Sequence, residues 1–157
     1  MRIVKRVIGK VAMAHFLSFE RVRRIGWGGI ALVVEASAVL AAAAAVIHLM
    51  PFRRAIRFGS GGLPEPDYDP AVEMLRRIER SVERAAARVP WRTVCLQKGL
   101  ALQWMLRRRG VDARLHYGIG KDEAGAMCAH VWVSAGQTML IGREQAPQFR
   151  SVATYPS

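Results

Sequence analysis

The chain has 157 residues, 52% of them apolar, and a formal net charge of +12. That is enough for one ordinary domain with an appendage, and it excludes wholesale disorder. The charge attracts acidic partners, but no Cys/His finger spacing or glycine–aromatic RNA-binding strand accompanies it, so no nucleic acid is expected.

Residues 1–58 read as an apolar and basic helical region with a break near Gly26-Trp27-Gly28-Gly29. The basic start, Met1-Arg2-Ile3-Val4-Lys5-Arg6, lacks the long apolar region and small-residue cleavage site of a signal peptide. Residues 29–50 are almost entirely apolar and approach the roughly 20 needed to span a bilayer. Against spanning stand Glu35, which costs a few kcal/mol (~2–4) on insertion scales, the many alanines, and arginines at both ends. The segment reads as a buried or partner-packed helix, with membrane association through residues 29–50 as the alternative. The run from Ala41 to Ala45 favours helix, and Pro51 ends it or begins the next turn.

Residues 59–69 form a linker, glycine-rich and then proline-rich. A second domain is expected over residues 70–157. Asp69 as N-cap and Pro70 as first helical residue open a helix that runs to about Arg88. Its arginines (Arg76, Arg77, Arg80, Arg84, Arg88) alternate with Glu73, Glu79 and Glu83 at helical spacing, the pattern of a solvated face. Val89-Pro90 stops it.

The next helix starts at Cys95 and places Leu96, Leu100, Ala101, Trp104 and Met105 on one face. It closes with Arg107-Arg108-Arg109 and Gly110 as C-cap. A strand over 111–120, a turn over 121–125, a strand over 128–134, a hairpin turn at Ala135-Gly136 and a partner strand over 137–141 follow. The tail to Ser157 carries no clear pattern. The fold class is α+β.

Cys95 stands where a loop becomes a helix, and the unpaired N–H groups and dipole there favour a thiolate. His130 opens a short valine- and aromatic-rich strand and can take the proton and return it to a leaving group. Alternation puts His130, Trp132 and Ser134 on one side, Val131 and Val133 on the other. The valines suit the core, so the histidine side is expected to face the helix carrying Cys95. Cys128 lies inside the strand and reads as packing, and two cysteines make neither a disulfide framework nor a structural metal site. Reduced thiols and a cytoplasmic location follow. His116 is the competing base, while His15 and His48 look incidental.

An imidazole base is usually oriented by a third group. The hairpin position for that acid falls at about Gly142, which has no side chain. Glu144 is the nearest acid, and Gln145 or a backbone carbonyl are the other acceptors. An oxyanion would be held by the Cys95 N–H and one further donor, with Trp91 and Gln97 as candidates.

The stretch Pro90-Trp91-Arg92-Thr93-Val94-Cys95-Leu96-Gln97-Lys98-Gly99-Leu100-Ala101-Leu102 resembles the nucleophile helix of the lasso-peptide leader peptidases. So do residues 106–120, Ala129-His130-Val131-Trp132-Val133, and upstream Glu35-Ala36 with Pro51-Phe52-Arg53-Arg54. The resemblance implies a transglutaminase-like, papain-type cysteine protease, with Cys95 as nucleophile and His130 as base. It implies removal of the leader from a ribosomally made precursor peptide before an ATP-dependent cyclase closes the ring. It also implies the protease-only form, which needs a separate leader-recognition protein, and no cofactor of its own beyond the ATP of the coupled maturation. The family's third catalytic residue is commonly an aspartate, and Gly142 departs from that. Two other readings keep the same residues: an acyl transferase of transglutaminase type, and a non-catalytic basic adaptor bound to a membrane or partner.

Overall fold

A computed structural model describes residues 27–57, 71–122 and 124–156. Its elements are helices α1 (Trp27–Leu49), α2 (Phe52–Arg57), α3 (Val72–Ala86) and α4 (Cys95–Arg107), then strands β1 (Ala113–Lys121), β2 (Met127–Ala135), β3 (Thr138–Met139) and β4 (Arg150–Tyr155). A short 3₁₀ turn, Ala146–Gln148, precedes β4. The four strands form one antiparallel sheet in the order β3-β2-β1-β4. The α+β class is what the structure has.

Helix α1 includes Gly28 and Gly29, and Gly26, where the expected break begins, lies outside the described residues. The helix ends at Leu49, before Pro51, whose carbonyl then accepts from the Arg54 and Ala55 N–H groups to start α2. Helix α1 is long and apolar enough to cross a membrane by length and composition alone. One of its faces is nonetheless used by the domain: Ala36, Leu40 and Ala43 are fully buried, and Ala43 joins Leu100, Leu115 and Val131 in the core. Glu35 receives two hydrogen bonds from Arg109, at 2.9 and 2.6 Å, and one from Arg108. The Arg109 hydrogen bonds, with help from both arginine charges, hold the Glu35 carboxyl below its ordinary value.

Helix α3 opens at Val72 with Ala71 as its N-cap, two residues later than the Pro70 start; Asp69 and Pro70 lie outside the described residues, as does the linker. Its apolar stripe, Leu75, Ile78, Val82 and Ala85, is buried with Ser81.

The expected one-sided burial of α4 does not hold. Gln97, Gly99 to Gln103, and Met105 to Arg107 are buried, while Cys95, Leu96, Lys98 and Trp104 stay partly open. The helix is central: α3, the sheet and Ala43 of α1 all pack on it. It ends as expected, with Gly110 at φ +76°, the Val111 N–H on the Leu106 carbonyl and the Gly110 N–H on the Arg107 carbonyl, a Schellman closure.

Gly99 sets how closely α4 lies on the sheet. A Cβ there would stand 2.7 Å from Val131 Cγ1 and 3.3 Å from Leu115 Cδ1. With hydrogen in its place, the helix backbone rests directly on the branched side chains of β1 and β2.

In the hairpin, β2 is one residue longer at each end than expected, and β3 keeps only two of the five residues assigned to it. Leu140 and Ile141 leave the ladder while still bonding Val133: the Val133 N–H donates to the Ile141 carbonyl at 3.1 Å and its carbonyl accepts from Leu140 at 2.8 Å. The unassigned tail supplies β4, which pairs with the far side of β1.

Candidate active site

Cys95 is the first residue of α4. Val94 precedes it in extended conformation, and the Val94 N–H donates to Gln97 Oε1 at 3.3 Å, half of a capping box. Valine has no side-chain acceptor, so the other half is absent and the N–H groups of the first turn stay available to a ligand. Gln97, whose Oε1 accepts at this cap, and Trp91 both lie outside the lining of the pocket described below. That leaves the first-turn backbone N–H groups as the oxyanion donors this helix offers.

His130 lies in the middle of β2, paired with Gly118 of β1. The structure corrects the side on which it stands. Val131 and Val133 face α4 at Gly99, so His130 and Trp132 point to the opposite side of the sheet. There the Trp132 ring fills the space above Gly118, where a Cβ would come within 2.7 Å of it. His130 lies 6.4 Å from the Trp132 ring and 5.1 Å from Phe149, centroid to centroid. Sequence alternation identified the two sides correctly but assigned the helix to the wrong one.

The two residues still border one pocket. This pocket, of about 580 Å³, is lined by Cys95 and Lys98 of α4, by His130 and Val131 of β2, and by the turn from Leu140 to Gln145. Helix α3 forms its remaining wall with Glu79, Arg80, Glu83 and Arg84. The charged run of α3 is therefore more than a solvated face. Part of it pairs within the helix, Arg76 with Glu79 at 2.9 Å and Arg80 with Glu73 at 2.6 Å. Part of it meets the site: Lys98, one turn after Cys95, reaches Glu83 at 3.0 Å. Sequence reading missed this wall, since helical spacing shows which charges share a face but not what that face packs beside.

His130 is held by the main chain. Its Nε2 lies 3.1 Å from the Gly142 carbonyl oxygen. A carbonyl only accepts, so Nε2 carries the proton, and in the neutral ring Nδ1 is the basic nitrogen. Gly142 has φ +82°, and a Cβ there would lie 2.5 Å from the Val131 carbonyl oxygen and 2.8 Å from His130 Nε2. Only glycine fits, so the position that would carry an acid delivers a carbonyl instead. Glu144 stands exposed on the pocket wall, two residues on, and Gln145 beside it.

His116, the competing base, is occupied elsewhere. Its Nδ1 lies 3.1 Å from Thr154 Oγ1 and its Nε2 2.8 Å from Ser134 Oγ, and its ring stacks on Trp132 at 5.5 Å. Burial, and then the nearby Arg114 charge, lowers its pKa. Cys128 is half-buried in β2, a free thiol outside the pocket lining. His48 is exposed on α1, and His15 lies outside the described residues. Among the described residues no cluster of three or more His, Cys, Asp or Glu is placed to hold a metal ion.

A thiol at a helix N-terminus, a base with its tautomer set, and free backbone donors beside the thiol together suit acyl transfer through a thioester. The family model described as the transglutaminase-like superfamily matches residues 34–154. No curated protein and no solved structure matches the chain.

Proposed function

The chain belongs to the transglutaminase-like superfamily, typically a cysteine-protease or acyltransferase fold, and from that premise we propose that it is the leader peptidase of a lasso-peptide pathway. The observation that carries the reading is the shared pocket of Cys95 and His130, with the His130 Nε2–H given to the Gly142 carbonyl. Cys95 Sγ attacks the scissile carbonyl carbon while its proton passes to His130 Nδ1. The oxyanion is held by N–H groups of the first turn of α4. Collapse breaks the C–N bond, His130 gives the proton to the leaving amine, and a thioester to Cys95 remains. His130 then deprotonates a water that attacks the thioester, and Cys95 leaves as the thiolate. The pair needs no bound cofactor for this chemistry.

The acyl part retained on Cys95 is the leader, and the freed amine is the new core N-terminus. A separate ATP-dependent cyclase would then join that amine to an acidic side chain. A separate recognition protein would supply leader affinity; before the linker, the described residues 27–57 form helices α1 and α2. The burial of Ala36, Leu40 and Ala43 and the ion pairs of Glu35 favour α1 as a docked helix of a cytoplasmic protein over a membrane span.

Incubation with a precursor peptide and the recognition protein, followed by product mass, tests the reading. Free leader and free core are expected. Incorporation of an added amine in place of water would instead make the chain an acyl transferase. Unprocessed precursor under all conditions would favour the adaptor reading.

A further inference from the structure

On the peptidase reading, His130 becomes a cation each time it takes the Cys95 proton, and its side chain is buried, with the residue 8% exposed. A buried cation is costly unless something compensates it. The Gly142 carbonyl accepts the Nε2–H at 3.1 Å but brings no full negative charge. None of the three carboxylates that line the pocket is bonded to the ring. Glu79 pairs with Arg76 at 2.9 Å and Glu83 with Lys98 at 3.0 Å, and Glu144 makes no ion pair or hydrogen bond among the described residues.

What surrounds the ring instead is aromatic. Phe149 lies 5.1 Å away, centroid to centroid, with the planes inclined by 36°, closer than two rings can lie side by side in one plane. Trp132 flanks the imidazole at 6.4 Å and 22°. The sheet makes room for both rings. At Gly118, the β1 partner of His130, an added Cβ would stand 2.7 Å from Trp132 Cζ3 and 3.0 Å from Phe149 Cβ. At Gly120 it would stand 3.0 Å from Phe149 Cδ1 and 3.3 Å from Cε1. Two glycines on one side of β1 thus seat the two rings. The 3₁₀ turn delivers Phe149 to this place, with its N–H on the Ala146 carbonyl at 3.1 Å. His116, held between Thr154 and Ser134, stacks on Trp132 at 5.5 Å and 11°. Neither Phe149 nor Trp132 lines the pocket, so what they do to the chemistry passes through His130.

We propose that Phe149 is a positioning residue whose ring face stabilises the His130 imidazolium, with Trp132 as a second and more distant wall, in place of the acid missing at Gly142. This inference rests on the peptidase reading and names a group that acts on its base. A cation within about 6 Å of a ring centroid is drawn to the negative face of the π system. Phe149 meets that limit and Trp132 lies just beyond it, so Phe149 carries the larger share. The attraction grows only as the imidazole gains its second proton. It therefore favours the step in which Cys95 gives its proton up and leaves precursor binding unchanged.

The test replaces Phe149, in the full chain, by phenylalanines carrying one, two, three and five ring fluorines. Ring size hardly changes along this series, while each fluorine drains the negative face. Single-turnover cleavage of the precursor is measured with the recognition protein. Its rate is expected to fall stepwise, by about five- to thirtyfold across the series, with the half-saturating concentration unchanged. Phe149→Leu is expected to lose as much, and Phe149→Tyr, which restores a ring face, to recover most of that loss. A second readout needs no precursor: alkylation by iodoacetamide, followed at the Cys95 peptide by mass. It is expected to slow in the same order, because a less stabilised imidazolium leaves less thiolate. A flat cleavage series with an active wild type would overturn the proposal and leave the peptidase reading intact. No cleavage by the wild type would overturn the peptidase reading. The alkylation series then decides the role of Phe149, a graded fall supporting it and a flat series overturning it.

Discussion

His130 depends on a carbonyl where related chemistry uses a carboxylate. The carbonyl fixes the tautomer but adds no full charge to stabilise an imidazolium, so orientation is its whole contribution. Replacement of Gly142 by alanine puts a methyl against both the Val131 carbonyl and the imidazole at a positive φ. A loss of at least about tenfold in kcat/KM is expected, beyond a strain cost of about 1–3 kcal/mol in stability; chemical denaturation and steady-state kinetics on the same variant separate the two. Glu144→Gln provides the contrast. Loss of a true orienting acid costs on the order of 10⁴ in kcat, whereas this variant is expected to stay within about threefold; a loss approaching the larger figure would give the orienting role to Glu144.

Among the elements, the seating of α4 on the sheet decides whether Cys95 meets the pocket. Gly99→Ala in an exposed helix would gain about 1 kcal/mol. Here the added methyl meets the stiff Val131 side chain at 2.7 Å, and overpacking costs about 1–3 kcal/mol. A net fall in thermal midpoint is expected, together with lower kcat, because the helix that carries Cys95 is pushed off β2; a higher midpoint would contradict the close seating. The sequence made the two ends of α4 legible, because capping and closure are local. It also made the alternation of β2 legible, and with it both candidate residues. It did not show which side of β2 meets α4, since valine and histidine sides both end up covered and only the partner element tells them apart. The charged wall from α3 was hidden for the same reason, and β4 because its pairing partners in β1 lie 31 to 40 residues upstream.

At the scale of the whole molecule, two buried or paired titrating groups shape the pH dependence. His116 has its pKa lowered from 6.5 by burial and then by Arg114, so the unfolded chain takes up its proton first. The stability it supports is complete above pH 6.5 and is lost as the pH falls below that value. His116→Gln keeps partners for Thr154 and Ser134 and is expected to flatten the thermal midpoint between pH 7.5 and 5.5; an unchanged slope would assign the loss elsewhere. Glu35, held below its ordinary 4.5 chiefly by Arg109, loses its contribution only in a separate and more acidic window. The same ion pairs bear on α1. The protein is expected in the supernatant without detergent, and membrane pelleting that survives high salt would contradict α1 as a docked helix.

The central claim is that one of the two thiols, Cys95, forms the acyl bond and that His130 drives it. The most direct measurement is mapping of the covalent intermediate by intact mass and peptide digestion, after rapid acid quench of the protein with precursor and recognition protein. The account predicts a leader-acyl thioester on Cys95, absent in Cys95→Ala and strongly reduced in His130→Ala. An acyl group on Cys128, or leader removal that persists in Cys95→Ala, would contradict it.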